Sequence, residues 1–250
     1  MKIDMAGALR DAWAMWRTDG DLLVRIAALF LFLPQFATLL LLPPIPPMVV
    51  TAEMSQAAQM ALAESIVAWI SAYGGWYLLA ALIVQAGTLI VLTAYLGRDR
   101  PDLGGAIRSA AQLFPRYLLA MILVGLPLGV GVLTLILLLP GLYVLGRMIA
   151  LGPILVAERP ISVGRGVARS WAMTRGYGLP LAGLVSLTIL GGALMAAPFT
   201  MIDKGLRAAA PNVVAITLAD AAGAAVAAAA LLATALVQIA VYRRLENSGT

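Results

Sequence analysis

Few side chains in this chain are equipped for chemistry. Its 250 residues include neither cysteine nor histidine, which removes thiol nucleophiles, imidazole bases, disulfides and the usual zinc, haem and iron-sulfur ligand sets. Carboxylates, hydroxyls and arginine are left, and two charged groups stand inside long apolar runs. Arg147 interrupts PGLYVLGRMIALGPILVAERP (140–160), and Asp220 interrupts LADAAGAAVAAAALLATALVQ. A bare arginine in hydrocarbon costs from about 3 kcal/mol upward, so it must face protein or water and have a partner. Counted along each run at about 1.5 Å per residue, both charges fall about 10 Å below the outer boundary. The expectation is an intramembrane Arg147–Asp220 pair. Such a pair either registers two helices against each other or lines a solute path, with Gln85 and Tyr143 as the candidate cavity-lining residues beside it.

The motifs of hydrolases and nucleotide enzymes are missing: there is no G-x-S-x-G elbow, no phosphate-cradling G-x-x-x-x-G-K-[ST] and no H-E-x-x-H. Asp19 and Asp21 in RTDGDLL read as a solvated turn, and Glu158 as a cap closing its helix. The chain is therefore expected not to be an enzyme and to use no cofactor and no metal.

The elements that must position these residues follow from composition. Hydrophobic residues make up 62% of the chain and charged ones 12%, with a mean hydropathy of +0.96, too little polar surface to cover a water-soluble globule. The fold class expected is all-α and polytopic, a single transmembrane domain over 1–250. Six apolar runs have the roughly 20-residue length of a spanning helix: 22–42, 76–96, 117–139, 141–157, 179–202 and 213–242. The third and fourth are joined at Pro140-Gly141, a tight membrane hairpin. The acidic region before the first run argues against a cleavable signal, so that run reads as a retained anchor.

Basic residues set the orientation, because cytoplasmic flanks carry the excess of positive charge. Lys2, Arg10, Arg17, Arg25, Arg98, Arg100, Arg108, Arg116, Arg159, Arg165, Arg169, Arg175, Arg243 and Arg244 fall on one side, fourteen of the seventeen basic residues. Both termini are thus expected in the cytoplasm. Aromatic residues agree with this count: Trp69, Tyr73, Trp76, Tyr77 and Tyr143 fall at the outer ends, and Trp13, Trp16, Tyr95, Tyr117, Trp171, Tyr177 and Tyr242 at the inner ends. The stretch 53–69 has good helix propensity and reads as a surface or re-entrant helix on the outer side.

Three cytoplasmic segments show amphipathic i, i+3, i+4 spacing. They are DMAGALRDAWAMWR from Asp4, DLGGAIRSAAQLF capped by Asp102, and SVGRGVARSWAMTR capped by Ser162. Each is expected to lie in the membrane plane and to precede two spans, a weak threefold repeat over 1–96, 97–157 and 158–250. Trp13, Trp16 and Trp171 are the interfacial anchors. Arg108, Arg165, Arg169 and Arg175 are the candidate headgroup-binding residues, because arginines on helices whose other faces carry tryptophan and valine meet anionic lipid rather than nucleic acid.

The segment 98–176 resembles the membrane domain found with some bacterial glycerophosphodiester phosphodiesterases and the related YciC-like uncharacterised membrane proteins. The resemblance rests on PGLYVLGR, LGPILVAE and SVGRGVARSWAMTRG, with Tyr143, Arg147, Glu158 and Trp171 among the matching positions. It implies a bacterial protein of about six spans whose membrane portion has no established activity. The fused phosphodiesterase barrel has no counterpart expected in this chain, so its hydrolytic activity is not carried over. The role expected is that of a non-enzymatic inner-membrane protein, engaging phospholipid headgroups or a membrane protein partner through its basic face. The alternative is a transporter of a small or lipid-like solute.

Overall fold

The computed structural model describes residues 4–46, 55–97, 102–134, 138–209 and 212–248. Lys2, Glu53, Arg98 and Arg100 lie outside them. Among the described residues there are helices and no strands: α1 (Met5–Ile26), a π-helical turn (Ala27–Phe32), α2 (Leu33–Leu41), α3 (Gln56–Leu96), α4 (Leu103–Thr134), α5 (Leu138–Arg147), α6 (Leu151–Ala157), α7 (Val163–Met173), α8 (Gly178–Ala209) and α9 (Val213–Ser248). Six stretches are long and apolar enough to cross a membrane: Met5–Leu41, Gln56–Leu96, Leu103–Gly125, Leu139–Ala157, Gly178–Ala208 and Val213–Asn247. The all-α, six-span architecture is as the composition requires.

Local sequence explains the departures from straight helices. Asp19, in the RTDGD turn, has φ −116° and ψ 25°, and this non-helical residue separates the amphipathic half of α1 from the half that enters the first span. Pro34 lacks an N–H and its ring crowds the carbonyl four residues earlier. The ladder just before it widens, and Leu33 N–H bonds Ala28 O, five residues back.

Several boundaries differ from the sequence reading. The expected outer helix at 53–69 is no separate element: from Gln56 onward it is the first part of α3, 41 residues long and continuous with span two. Ser55 caps it, accepting from Ala58 N–H at 3.2 Å, and Gly74-Gly75 do not break it, since an unbroken ladder leaves no backbone group bare in an apolar medium. The turn between the third and fourth spans is not at Pro140-Gly141, because both residues lie in the first turn of α5, where proline is tolerated. The fourth span is instead broken at its middle, Met148–Ala150, into α5 and α6.

Of the three expected interfacial helices, only α7 stands alone; Ser162 caps it, accepting from Arg165 N–H at 3.4 Å. The segment beginning at Asp102 runs without interruption into α4, and the first is joined to its span through Asp19. Asp102 caps α4 as expected, accepting from Gly105 N–H at 2.9 Å.

The best-packed region lies at the arginine-rich end. Leu89, Val91 and Leu92 of α3, Leu151, Ile154 and Leu155 of α6, and Ile239, Val241 and Tyr242 of α9 are buried there. Hydroxyl and ionic ties surround it. Thr93 Oγ1 reaches Ala106 O of α4 at 3.0 Å, Arg243 donates to Tyr95 O at 2.9 Å, and Arg244 pairs with Asp11 of α1 at 2.6 Å. Tyr95 OH donates to Asp19 at 2.7 Å, so that carboxylate holds α1 to the end of α3. At the other end, α8 exposes Leu187, Leu190, Leu194 and Met201, the apolar surface a span turns toward lipid.

Candidate functional site

Arg147 is the last residue of α5 and 5% exposed. It does not meet Asp220. Its Nη1 donates to Thr174 O at 2.8 Å and its Nη2 to Trp171 O at 2.6 Å. Those carbonyls belong to the last turn of α7 and its C-cap, where no intrahelical donor remains and the helix carries partial negative charge. The guanidinium also lies over the Trp171 ring, 4.3 Å from its centroid.

The contact is reciprocal. Arg147 O, itself at a helix end, accepts from Ser170 Oγ at 2.9 Å and lies 3.1 Å from Thr174 Oγ1, which also reaches Ser170 O at 2.7 Å. Two helix C-termini thus cap each other through one arginine and two hydroxyls, all buried. Gly176, with φ +84°, turns the chain out of α7 in a conformation that a Cβ would strain.

The expected Arg147–Asp220 pair is corrected by this geometry. Asp220 pairs with Arg207, Nη2 to Oδ2 at 2.9 Å, and Arg207 also pairs with Asp203 at 2.6 Å and donates to Leu39 O at 3.4 Å. Gly146 packs directly on the backbone of Ala182, whose Cα would lie 2.6 Å from a Cβ added there. From Ala182 to Arg207, α8 climbs about 37 Å at its ordinary rise, so the two charges lie near opposite ends of one helix. The sequence estimate of depth assumed an unbroken fourth span. The break at Met148–Ala150 folds Arg147 back toward α7.

Tyr143 moves with it. Rather than marking the outer boundary, its ring meets Trp171 edge-on at 6.4 Å between centroids and closes over Gly178, which has no room for a Cβ. Gln85 is half-buried on α3 and lines neither of the two cavities described below. The polar path of Arg147, Asp220, Gln85 and Tyr143 is not assembled in this arrangement.

Beside the clamp lies a cavity of about 780 Å³, walled by Arg147, Trp171 and Arg175, with Val167, Ala168 and Ala172 of α7 as its apolar side. Arg147 Nε is enclosed and has no hydrogen-bond partner, and among the described residues no ion pair holds Arg147 or Arg175. The wall is therefore net positive. The other candidate headgroup residues divide: Arg169 is taken by Glu158 at 3.3 Å, Arg165 bonds its own cap Ser162 at 3.3 Å, and Arg108 is exposed on α4.

Trp13 and Trp16 border a second cavity of about 630 Å³ between α1 and α9, lined by apolar side chains throughout. Among the described residues no cluster of three or more potential metal ligands occurs. No known protein family matches the chain, and no curated protein or solved structure is significantly similar to it.

Proposed function

We propose that this protein is a non-enzymatic multi-pass component of the bacterial inner membrane, both termini in the cytoplasm, that holds an anionic phospholipid headgroup on its basic inner face. The observation that carries this reading is the cavity walled by Arg147, Trp171 and Arg175. Arg175, exposed and with no carboxylate against it, offers a phosphate both charge and a bidentate fork, and Arg147, whose own fork is held by the α7 carbonyls, adds its charge to the wall. Trp171 lies at the same place, where an amphipathic ring favours the headgroup level. Adjacent apolar residues of α7 would meet the glycerol and upper acyl carbons, and membrane lipids rather than nucleic acid are the partners proposed. Membership of the phosphodiesterase-associated membrane family stays part of the proposal, resting on the motifs that surround Tyr143, Arg147 and Trp171.

The transporter alternative rested on Arg147 and Asp220 sharing a path. Each is now engaged about a bilayer's thickness from the other, and no observation favours that reading.

The test uses native mass spectrometry of protein released from nanodiscs containing phosphatidylglycerol and phosphatidylcholine. Arg175→Gln removes an exposed charge without touching the clamp, and Lys204→Gln, at the other end of α8, is the control. Loss of most of the retained phosphatidylglycerol in Arg175→Gln alone is the expected result. Retention equal to that of the unmodified protein overturns the reading.

A further inference from the structure

The first half of α3 reaches beyond the span it belongs to. Tyr77 OH donates to Pro43 O at 3.0 Å, just past the end of α2 at Leu41, so the far end of the first span lies beside Tyr77. From that level α3 continues to Gln56, about 31 Å further at the helical rise. That length equals the thickness of a second hydrocarbon core. Yet the segment 56–75, QAAQMALAESIVAWISAYGG, carries one charge, Glu64, and no residue of α3 before Gly87 is buried. A helix this apolar, placed in water, needs a cover.

Its faces are unequal. Leu62, Ile66, Trp69, Tyr73 and Tyr77 are half-buried, and Trp69 meets Tyr73 and Tyr77 at 6.2 and 4.8 Å between centroids. About a quarter-turn round the helix, Met60, Ala63, Val67 and Ile70 are exposed, the three large ones by 62, 63 and 52%. With Gln56 and Gly74 they recur at alternating steps of 4 and 3 residues, the spacing of a coiled-coil seam.

We infer that this seam pairs with the same seam of a second copy of the chain, as a short parallel coiled coil standing beyond the outer end of the first span. Heptad packing needs a partner helix whose knobs and holes keep the same register. Copies inserted in one bilayer with one orientation supply it: a two-fold axis along the membrane normal sets their α3 helices parallel and at equal height, each seam residue against its counterpart. Charge is self-complementary as well. Glu64, next to Ala63, falls on the flank of the seam, where it faces Gln59 of the other copy, an amide able to donate to it. The two Glu64 carboxylates lie on opposite sides of the pair, so no like charges meet. The strip from Gln56 to Gly74 is about 27 Å long, a contact at the low end for partners meeting in solution, and confinement to one membrane raises the effective concentration. The pairing does not involve the α7 cavity, with which the seam shares no residue.

A chain without cysteine makes the test direct. Single cysteines are placed on the seam, Met60→Cys or Val67→Cys, and on the opposite, exposed face, Ser65→Cys or Ala72→Cys. Each full-length variant is reconstituted in vesicles at low protein-to-lipid ratio and treated with a short bis-maleimide. Covalent pairs should form severalfold faster at the two seam positions than at the other two. Adding Val67→Glu to Met60→Cys sets a charge in the seam of each copy and should bring its rate down to that of Ser65→Cys; circular dichroism verifies that helix content is kept. Equal rates at all four positions, the mark of random collision, overturn the inference. So do faster pairing at Ser65→Cys and Ala72→Cys, a Met60→Cys rate that Val67→Glu leaves unchanged, and the absence of pairs throughout, which would give the seam to a different protein.

Discussion

Replacing Arg147 by methionine is the most direct test of the clamp. The substitution keeps a long side chain but removes the bonds to Thr174 O and Trp171 O and the stacking on Trp171. Hydrogen bonds to a charged donor contribute about 1.5–3 kcal/mol each, and the stacking about 0.5–2 kcal/mol. Against this stands the release of a buried cation from hydrocarbon surroundings, which lowers the net loss. Interhelical bonds in membranes also average below their aqueous worth, since the unfolded chain finds partners too. The expected net destabilisation is about 2–4 kcal/mol, by the balance of these terms. Arg147→Lys keeps the charge but cannot fork to two carbonyls, and falls between.

The assay is reversible unfolding in mixed micelles, followed by near-UV circular dichroism, on the unmodified protein, Arg147→Met, Asp220→Asn and the double variant. Because the two sites lie about 37 Å apart along α8, their effects should add to within about 0.5 kcal/mol. Coupling well beyond that would revive the direct pair and refute the geometry described here. A fully stable Arg147→Met would refute the energetic reasoning instead.

Arg207→Met combined with Asp220→Asn should show the coupling that the first pair lacks, about 0.5–1.5 kcal/mol in the same unfolding measurement, because Arg207 is partly exposed and its attraction is screened. Gly146→Ala places a Cβ against the backbone of Ala182 and Leu181, which no side-chain rotation relieves; a loss of about 1–3 kcal/mol is expected, with α5 and α8 forced apart. The Asp4 carboxylate accepts Gly7 N–H at 2.8 Å, and that bond holds its pKa below the ordinary value. Its contribution to docking α1 is therefore complete above the unfolded value, about 3.9, and lost as pH falls through the lower folded one. The tryptophan emission of the unmodified protein should shift in that acid range, and the part due to Asp4 should vanish in Asp4→Asn, where the asparagine still caps. Single cysteines replacing Ser248 and Ser55, introduced into a chain with no native thiol, should be labelled from opposite sides of the membrane by an impermeant reagent. Labelling of both from one side would refute the six-span orientation.

The span count and the helical caps at Asp102 and Ser162 were legible without a structure, since they depend on runs of about 20 apolar residues and on residue types at helix starts. So was the obligation on Arg147 to find a partner, because a charge in hydrocarbon carries that cost in any fold. Which partner it took was a tertiary matter. Acids are the usual candidates in a one-dimensional search, but backbone carbonyls at the end of α7 have no sequence signature, and they became acceptors only when the fourth span broke at Met148–Ala150 and turned Arg147 toward them. Asp220 likewise found Arg207, five residues beyond the end of the fifth apolar run at residue 202, because α8 runs on to Ala209. The alanines of α9 could be read as close packing on any neighbour; that part of their face stays open as a groove beside Trp13 and Trp16 was decided by where α1 came to rest, held by Arg244 against Asp11 and by Tyr95 against Asp19.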